Sequence, residues 1–362
     1  MKYNLAEMYI DDEIKNKVIA VLNSKRYIKG KEGKNFEEEF AEYIGTEYGI
    51  ATNSGTSGLY LAYYALGLGK DDEIIVPSHT FIATVSTAMH LGIKPVFVDI
   101  DPETFTMNPR DVEKKITQKT KAIVPVHLYG HPVDMKPIMD LADENDLYVI
   151  EDAAQAHGSL YNNRKVGSIG DIAVFSFFPS KVMTVAGDGG MVVTNNKEIG
   201  EKIAMLRDQG RKEKYIHELL GFNFRLNEIQ AAIGRIQLKH LEEWIEKRRN
   251  VAKLYNELLG GLDSVVPPME RSWARHVYYV YTIKAKNRDK LSEFLKKNGI
   301  ATGLYYPVPV HKQPAIMKYM KTEYLPQTEK CVNEILSLPM YPELKKEQIN
   351  YIVEKIDEYY NR

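Results

Sequence analysis

Apolar and polar positions alternate along the first 200 residues in a way that predicts strands and helices in turn. Short apolar runs rich in β-branched residues are typical of strands, whereas apolar residues spaced three or four apart indicate amphipathic helices. Strands that alternate with helices favour a largely parallel sheet covered on both faces. The predicted strands are residues 48–52, 73–77, 95–100, 121–127, 147–150, 172–177 and 191–194.

A long helical pattern follows over residues 226–259, and the glycine pair at 260–261 predicts its end. On this helix Leu226, Ile233 and Ile236 share one apolar face. Beyond it, the sequence predicts a strand at 276–285, a helix at 288–297, a strand at 302–306 and two helices near the C-terminus. The pattern therefore predicts a large α/β domain, a linking helix and a smaller α+β domain.

Composition and charge exclude several classes of protein. The 362 residues suggest about two domains, and the net charge of -1 offers no basic surface for nucleic acid. A single cysteine, Cys331, rules out an internal disulfide and favours a reducing compartment. No apolar stretch approaches the ~18 residues that span a bilayer, and the early acids Glu7, Asp11 and Asp12 argue against a signal peptide. We therefore expect a cytoplasmic protein that binds neither nucleic acid nor membrane.

The turn between the first predicted strand and the next helix contains Ser54, Gly55, Thr56 and Ser57. A helix N-terminus offers unpaired N–H groups and the positive end of a dipole, and glycine lets the backbone approach a ligand closely. Because the hydroxyl groups add donors, the turn is suited to a phosphate; a simple Ser/Thr helix cap is the other interpretation. The turn is not a P-loop, since it lacks the Gly-Lys-Ser/Thr ending.

Two acids and a lysine follow predicted strands. Glu151 and Asp152 come directly after an apolar run, at the carboxyl edge where ligands of α/β sheets bind. A carboxylate there either holds a protonated ring nitrogen or caps a helix. Lys181 follows an aromatic strand and precedes a glycine-rich turn. It is therefore either a solvated surface charge or a desolvated amine that can form a Schiff base.

The sequence gives no support for a metal site. His127 and His131 stand four residues apart, but they belong to a strand-to-loop segment before Pro132 and not to one helix face. The chain contains no HExxH motif, no CxxC motif and no nucleophile-elbow serine. We therefore expect no bound metal.

Taken in order, these segments resemble the DegT/DnrJ/StrS family of sugar aminotransferases. The resemblance runs from about residue 27 to about residue 313, and its further markers are residues 72–77, 151–155, 187–190, 221–225 and 306–311. It implies pyridoxal 5'-phosphate as the cofactor and the type I fold of aspartate aminotransferase. In that fold, a large domain with a mostly parallel seven-stranded sheet, residues 1–250, precedes a smaller C-terminal α+β domain, residues 251–362.

The resemblance also implies roles for individual residues. Lys181 would hold the cofactor covalently and shuttle the proton, Asp152 would pair with the ring nitrogen, and Phe81 would stack on the ring. The other implied cofactor-binding residues are Gln155 at the ring hydroxyl, Gly55, Thr56 and Ser176 at the phosphate, Ser57 in the same turn, and Asn223, which would reach the phosphate from a neighbouring subunit. The implied substrate contacts are Arg225, Tyr306 and His311. A site completed by Asn223 of another subunit implies at least a homodimer.

The implied reaction moves an amino group from an amino acid, by family habit glutamate, to a keto group of a nucleotide-linked sugar. Residues 305–311 look more like members that act at C3 of the sugar than at C4. Alternatives on the same cofactor are a cyclic-ketone aminotransferase, a dehydratase, in which histidine replaces Lys181, and a desulfurase, which would want a mobile cysteine. A cofactor-binding regulator is a third class, although a DNA-reading one would need a helix-turn-helix and a basic face.

Overall fold

Strands within the first 194 residues form a mostly parallel seven-stranded sheet, and the helices of the large domain pack on it. The computed structural model describes residues 3–361. Within that range the strands of this sheet are β1 (Tyr48–Thr52), β2 (Glu73–Pro77), β3 (Lys94–Val98), β4 (Thr120–Ile123), β5 (Tyr148–Asp152), β6 (Ile172–Ser176) and β7 (Gly190–Thr194). Their spatial order is β1-β7-β6-β5-β4-β2-β3, and only β7 runs antiparallel to its neighbours. The prediction of a largely parallel sheet is confirmed.

Burial on both faces explains why these strands read as apolar runs. All five residues of β2 are buried. Ile74 and Val76 pack into one core cluster, whereas Ile75 points to the opposite face and packs into another. Because successive side chains of a strand alternate between faces, helices must cover both sides of the sheet.

The helices include those predicted near 226–259 and 288–297, but three of them lie within residues 307–361, where the sequence predicts two. The helices are α1 (Asp12–Ser24), α2 (Lys31–Ile44), α3 (Gly55–Ala65), α4 (Ala83–His90), α5 (Pro109–Lys115), α6 (Met135–Asn145), α7 (Lys197–Leu206), α8 (Glu228–Leu259), α9 (Arg288–Lys297), α10 (Pro314–Met317), α11 (Pro326–Glu334) and α12 (Lys346–Tyr360). Among residues 3–361, none of these helices is long and apolar enough to cross a membrane. The long helix α8 crosses residue 250, so the expected domain boundary falls inside a continuous helix and remains a prediction.

The C-terminal unit differs from the sequence prediction in its strands. Its sheet consists of β8 (Val265–Val266), β9 (Tyr281–Ala285) and β10 (Ile335–Leu338), all antiparallel. The predicted strand 276–285 therefore begins only at Tyr281, because residues 277 and 279 instead donate backbone N–H groups to the loop at 129–130. The predicted strand 302–306 is wrong: only Gly303 pairs with β10.

Close packing between α2 and α8 holds the N-terminal helices against the sheet domain. Gly234 of α8 faces the fully buried ring of Phe36, and a Cβ atom on Gly234 would lie 2.6 Å from that ring. The Phe36 ring in turn contacts Phe40 and Phe177, with centroids 6.0 and 5.2 Å away. The Phe36 ring therefore has little room to move away from a Cβ atom added at Gly234.

We predict that Gly234→Ala lowers the free energy of unfolding even though alanine favours helix formation. Overpacking costs about 1–3 kcal/mol, which exceeds the helix-propensity gain of about 1 kcal/mol. The matched control is Gly261→Ala, because a Cβ atom there meets nothing within 4 Å. Urea denaturation followed by circular dichroism measures both variants, and equal midpoints would contradict the packing argument.

Candidate active site

A cavity of about 390 Å³ opens at the carboxyl edge of the large sheet. The strands β1, β2, β5 and β6 all end at this edge because they run parallel, and the segments that follow them form the walls. The residues at the wall are Ser54, Gly55, Thr56, Thr80, Phe81, Thr84, Asp152, Gln155, Ser176, Phe178, Ser180, Lys181, Tyr279, Tyr305 and Tyr306, among others. The structure therefore brings most of the predicted cofactor residues into one cavity.

The N-terminus of α3 forms one wall of the cavity. Ser54 caps the helix by accepting a hydrogen bond from the backbone N–H of Ser57 at 3.0 Å. Gly55 is required by close approach, since a Cβ atom there would lie 2.9 Å from the Cβ of Ser176. Thr56 and Ser176 face the cavity beside it. The result is a small concave space lined by backbone N–H groups and hydroxyls, which suits an anion.

Ser57 supports this turn from behind. It is buried, it lies outside the cavity wall, and its hydroxyl donates to the side chain of Asn53 at 2.6 Å. The helix-cap interpretation therefore applies to Ser54 and Ser57. The phosphate-binding interpretation applies to Thr56, which lines the cavity.

Asp152 is a buried carboxylate at the end of β5. Its Oδ2 accepts from the hydroxyl of Thr84 at 2.8 Å, and its Oδ1 accepts from the backbone N–H of Ala154 at 3.2 Å. Burial raises the pKa of Asp152, while these two bonds and the positive charge of Lys181 act in the opposite direction. The carboxylate is consequently held in one orientation at the cavity floor.

Lys181 presents a desolvated amine to the same cavity. Burial lowers its pKa to about 8, and the charge of Asp152 partly offsets that effect. The Nζ atom lies 4.6 Å from the centroid of the Tyr279 ring, which supplies a favourable aromatic face. A lysine with this pKa carries a sizeable neutral fraction near neutral pH, so it is suited to act as a nucleophile and base.

Gln155 and Tyr306 close the cavity from the side of the C-terminal unit. The Gln155 side chain accepts from the backbone N–H of Tyr129 at 2.7 Å and donates to the hydroxyl of Tyr306 at 3.1 Å. The Tyr306 ring lies 5.7 Å from that of Phe81, which is half exposed at the mouth. Residues from both units thus share one site.

Besides Ser57, three predicted site residues lie outside this cavity. Arg225 borders a separate cavity of about 240 Å³ and donates to Asp208 at 2.6 Å. Asn223 is exposed on the surface near the same aspartate. His311 is fully buried, with its Nε2 3.1 Å from a Glu329 carboxylate oxygen. Within one chain, the structure does not bring these residues to the Lys181 amine.

Sequence reasoning missed Thr84 and Tyr279. Thr84 is the second residue of α4, three positions after Phe81, and its hydrogen bond to Asp152 has no signature in the sequence. Tyr279 lies within residues 276–285, which the sequence predicts as one continuous strand. Only the break in that strand places its ring beside Lys181.

The acid that precedes Asp152 has a different environment. Glu151 is fully buried and accepts from the backbone N–H groups of Gly167, Ile169 and Gly170 at 2.7–2.9 Å. Its remaining contact is with Nε2 of His127, at 2.9 Å. Since Nδ1 of His127 accepts a hydrogen bond from the backbone N–H of Val133, both ring nitrogens of this histidine have partners within the fold.

This arrangement of lysine, acid and helix N-terminus agrees with a family match. The model of the DegT/DnrJ/EryC1/StrS aminotransferase family matches residues 8–357. The chain belongs to this family.

Relatives and solved structures match over nearly the whole length. A pleiotropic regulatory protein of Geobacillus stearothermophilus is 46% identical over 99% of this chain and 97% of its own length. The dTDP-3-amino-3,4,6-trideoxy-alpha-D-glucose transaminase of Streptomyces venezuelae is 42% identical over 95% of this chain and 91% of its own. An X-ray structure of S. venezuelae DesV superimposes with a TM-score of 0.94 at 42% identity, covering 97% of this chain and 95% of that one.

Family and fold together establish the enzyme class. The chain is a pyridoxal-phosphate-dependent aminotransferase with the type I fold. The residues present fit this cofactor. The absence of a side chain at Gly55 leaves room for a phosphate at the start of α3, and the Lys181 amine and Asp152 carboxylate line the same cavity. The expectations of fold, family and cofactor are confirmed, whereas the role of each residue remains a prediction.

We predict that the Lys181 amine reacts with acetic anhydride in cofactor-free protein with a midpoint near pH 8. A free lysine titrates near ~10.4, so exposed lysines in the same digest serve as the internal reference. Replacing Asp152 with asparagine removes the charge that raises this pKa, and the midpoint should then fall below 8. Peptide mass spectrometry across pH 6–11 measures the labelling, and a midpoint for Lys181 equal to that of exposed lysines would contradict the prediction.

Proposed function

We propose that this enzyme transfers an amino group from glutamate to the keto group of a nucleotide-linked sugar, at C3 of the sugar ring. The observation that carries the proposal is the desolvated Lys181 amine, which shares a cavity with the buried Asp152 carboxylate and a helix N-terminus. These are the groups that transamination of a carbonyl compound needs.

The names of relatives support a sugar nucleotide as the substrate. Besides the S. venezuelae transaminase, a UDP-N-acetyl-3-dehydro-alpha-D-glucosamine 3-aminotransferase is 44% identical. A dTDP-3-amino-3,6-dideoxy-alpha-D-galactopyranose transaminase is 39% identical, and a GDP-perosamine synthase is 41% identical. Three of these four names specify position 3 of the sugar, which favours C3.

The residues that would hold the cofactor follow from the cavity. Gly55, Thr56 and Ser176 would bind its phosphate, Asp152 would hold a proton at the ring nitrogen, and Phe81 would cover the ring. Gln155 would bind the ring hydroxyl. When bound, the cofactor supplies an electron sink for the charge left by removal of a proton from carbon.

Lys181 would be the group that moves this proton. Its lowered pKa makes the neutral amine available near pH 7, and the Tyr279 ring favours the cation that forms when Nζ accepts a proton. The cavity walls exclude most solvent from Asp152, which is only 5% exposed. Proton transfer between a base and a carbon atom is more efficient in such a preorganised site.

The substrate contacts form a second part of the proposal. Tyr306 lies at the cavity wall and is placed to meet the sugar. Arg225 and Asn223 would serve the site of a partner chain, because neither lines this cavity: Asn223 is exposed and Arg225 borders a different cavity. The buried contacts of His311 favour a packing role for it over a sugar contact.

Other reactions on the same scaffold receive less support. The presence of Lys181 disfavours the dehydratase branch, and Cys331 is unsuited to a desulfurase because it is 3% exposed and burial raises its pKa to about 12. One relative is named as a regulatory protein, yet a purely regulatory chain has no need of a desolvated lysine. We place the enzyme in the cytoplasm, in keeping with its single, unpaired cysteine.

We predict that purified protein shows a visible absorbance band from bound pyridoxal phosphate, and that Lys181→Ala abolishes this band. The band expected here belongs to cofactor linked covalently to Lys181, a link that the variant cannot form. Lys181→Ala should leave thermal stability intact or raised, since a desolvated amine is lost. A wild-type protein that stays colourless after addition of pyridoxal phosphate would exclude the proposed chemistry.

We predict that incubation with glutamate and a panel of C3- and C4-keto nucleotide sugars yields an aminated C3 product, detected by mass. The Lys181→Ala variant is the blank. Amination of only C4-keto sugars would move the reaction to C4, and no aminated sugar at all would favour a cyclic ketone.

We predict that the site is shared between two subunits. An equal mixture of Lys181→Ala and Asn223→Ala chains, refolded together at limiting pyridoxal phosphate, should recover about a quarter of the sites, because half of the dimers are mixed and each holds one intact site. If Asn223 served its own chain, mixing would restore nothing beyond the activity of the separate variants.

A further inference from the structure

Tyr129 joins four separate segments of the chain behind the cavity wall. Its hydroxyl donates to the backbone carbonyl of Tyr305 and lies 2.9 Å from Nε2 of His79. Its backbone N–H donates to Gln155 at 2.7 Å, and its backbone carbonyl accepts from Tyr279 at 2.9 Å. The side chain is only 2% exposed. Two of these contacts reach segments of the C-terminal unit.

The direction of the hydrogen bonds through this hydroxyl is fixed. A hydroxyl has one hydrogen, and a carbonyl can only accept, so Tyr129 donates to Tyr305 and must accept from Nε2 of His79. Burial lowers the pKa of His79 to about 4, so the ring is neutral at pH 7. Among residues 3–361, Nδ1 of His79 has no hydrogen-bond partner. The bonds therefore run in one direction, from His79 through Tyr129 to the carbonyl of Tyr305.

Both sides of the Gln155–Tyr306 contact depend on Tyr129. The backbone N–H of Tyr129 holds the Gln155 side-chain oxygen, which directs the amide nitrogen to the Tyr306 hydroxyl. The Tyr129 hydroxyl holds the carbonyl of Tyr305, the residue directly before Tyr306. Tyr129 also keeps a left-handed backbone with φ of 60°, which costs a non-glycine residue about 1–2 kcal/mol. Tyr129 adopts this unfavourable backbone conformation at the point where the four segments meet.

We propose that Tyr129 is a positioning residue that sets the Tyr305–Tyr306 segment against the cavity for the sugar half of the reaction. The proposal rests on the proposed function for its substrate, although the placement of the segment can be tested without any substrate. Tyr129 acts through Tyr306 and Gln155 and does not itself line the cavity.

The test compares Tyr129→Phe with Tyr255→Phe in the holoenzyme. Tyr255 is as deeply buried, and its hydroxyl also donates to a backbone carbonyl, that of Pro339 at 3.2 Å, in the core of the C-terminal unit. Both variants should lose similar thermal stability. Only Tyr129→Phe should raise the KM for the keto-sugar, by about 5- to 30-fold, with kcat and the glutamate half-reaction within about twofold of wild type. An unchanged sugar KM would overturn the proposal.

A double variant tests whether the effect passes through Tyr306. If it does, Tyr129→Phe adds less to the KM of a Tyr306→Phe enzyme than to that of wild type, since the two residues are coupled. Fully additive effects of the two substitutions on KM would show that Tyr129 does not act through Tyr306. Should Tyr129→Phe fail to fold, His79→Leu removes only the outer bond and should raise the same KM by about two- to fivefold; an unchanged KM would again overturn the proposal.

Hydrogen exchange separates this proposal from the assignment of the substrate. Peptides that cover residues 303–311 should exchange faster in Tyr129→Phe and at the wild-type rate in Tyr255→Phe. If the wild-type enzyme aminates no sugar but this difference is observed, the proposed substrate is wrong and the positioning role stands. If the enzyme aminates sugars and the peptides exchange alike in both variants, the positioning role is wrong.

Discussion

The interaction on which the rest of the site depends is the attraction between two groups that burial would otherwise neutralise. Burial lowers the pKa of Lys181 and raises that of Asp152, and the opposite charge of each partner resists the change in the other. The pKa of each group is therefore shifted less than burial alone would shift it. Thr84 and the backbone of residue 154 fix the carboxylate, and the Tyr279 ring provides a face for the amine. The fold supplies these supports from three different segments.

Parallel strand topology is what allows those segments to meet. The carboxyl ends of β1, β2, β5 and β6 lie at one edge, so the residues that follow them converge although Ser54 and Lys181 are 127 positions apart in the chain. Glycine at position 55 then permits a contact between the start of α3 and β6 that no larger residue would allow. Buried Glu151 holds the end of β5 through three backbone N–H groups. Positioning at this site is therefore achieved largely by the backbone.

The sequence predicted the sheet well because both faces of each strand are buried, which leaves a continuous apolar run. The same rule failed at residues 302–306, where the aromatic pair Tyr305 and Tyr306 resembles a strand but packs against the large domain. Long-range contacts explain the remaining differences. Nothing local shows that the imidazole of His311 lies between Ser78 and Glu329, with Nδ1 at the Ser78 hydroxyl and Nε2 at the Glu329 carboxylate. Several residues that line the cavity were predictable through the family resemblance, whereas the supporting contacts of Thr84, Tyr129 and Tyr279 required the folded chain.

The energetic cost of Lys181 argues that the site is used for chemistry. A pKa held near 8 against an ordinary value of 10.5 means that the unfolded chain binds this proton more tightly. The cost is on the order of 3 kcal/mol below pH 8, and it disappears as pH rises past 10.5. An apolar side chain at this position would avoid that cost and fill the same space. A chain that needed only the fold, as a scaffold or a regulator, would be more stable without this amine. Its presence opposite Asp152 is not required by packing and supports the proposed catalytic role.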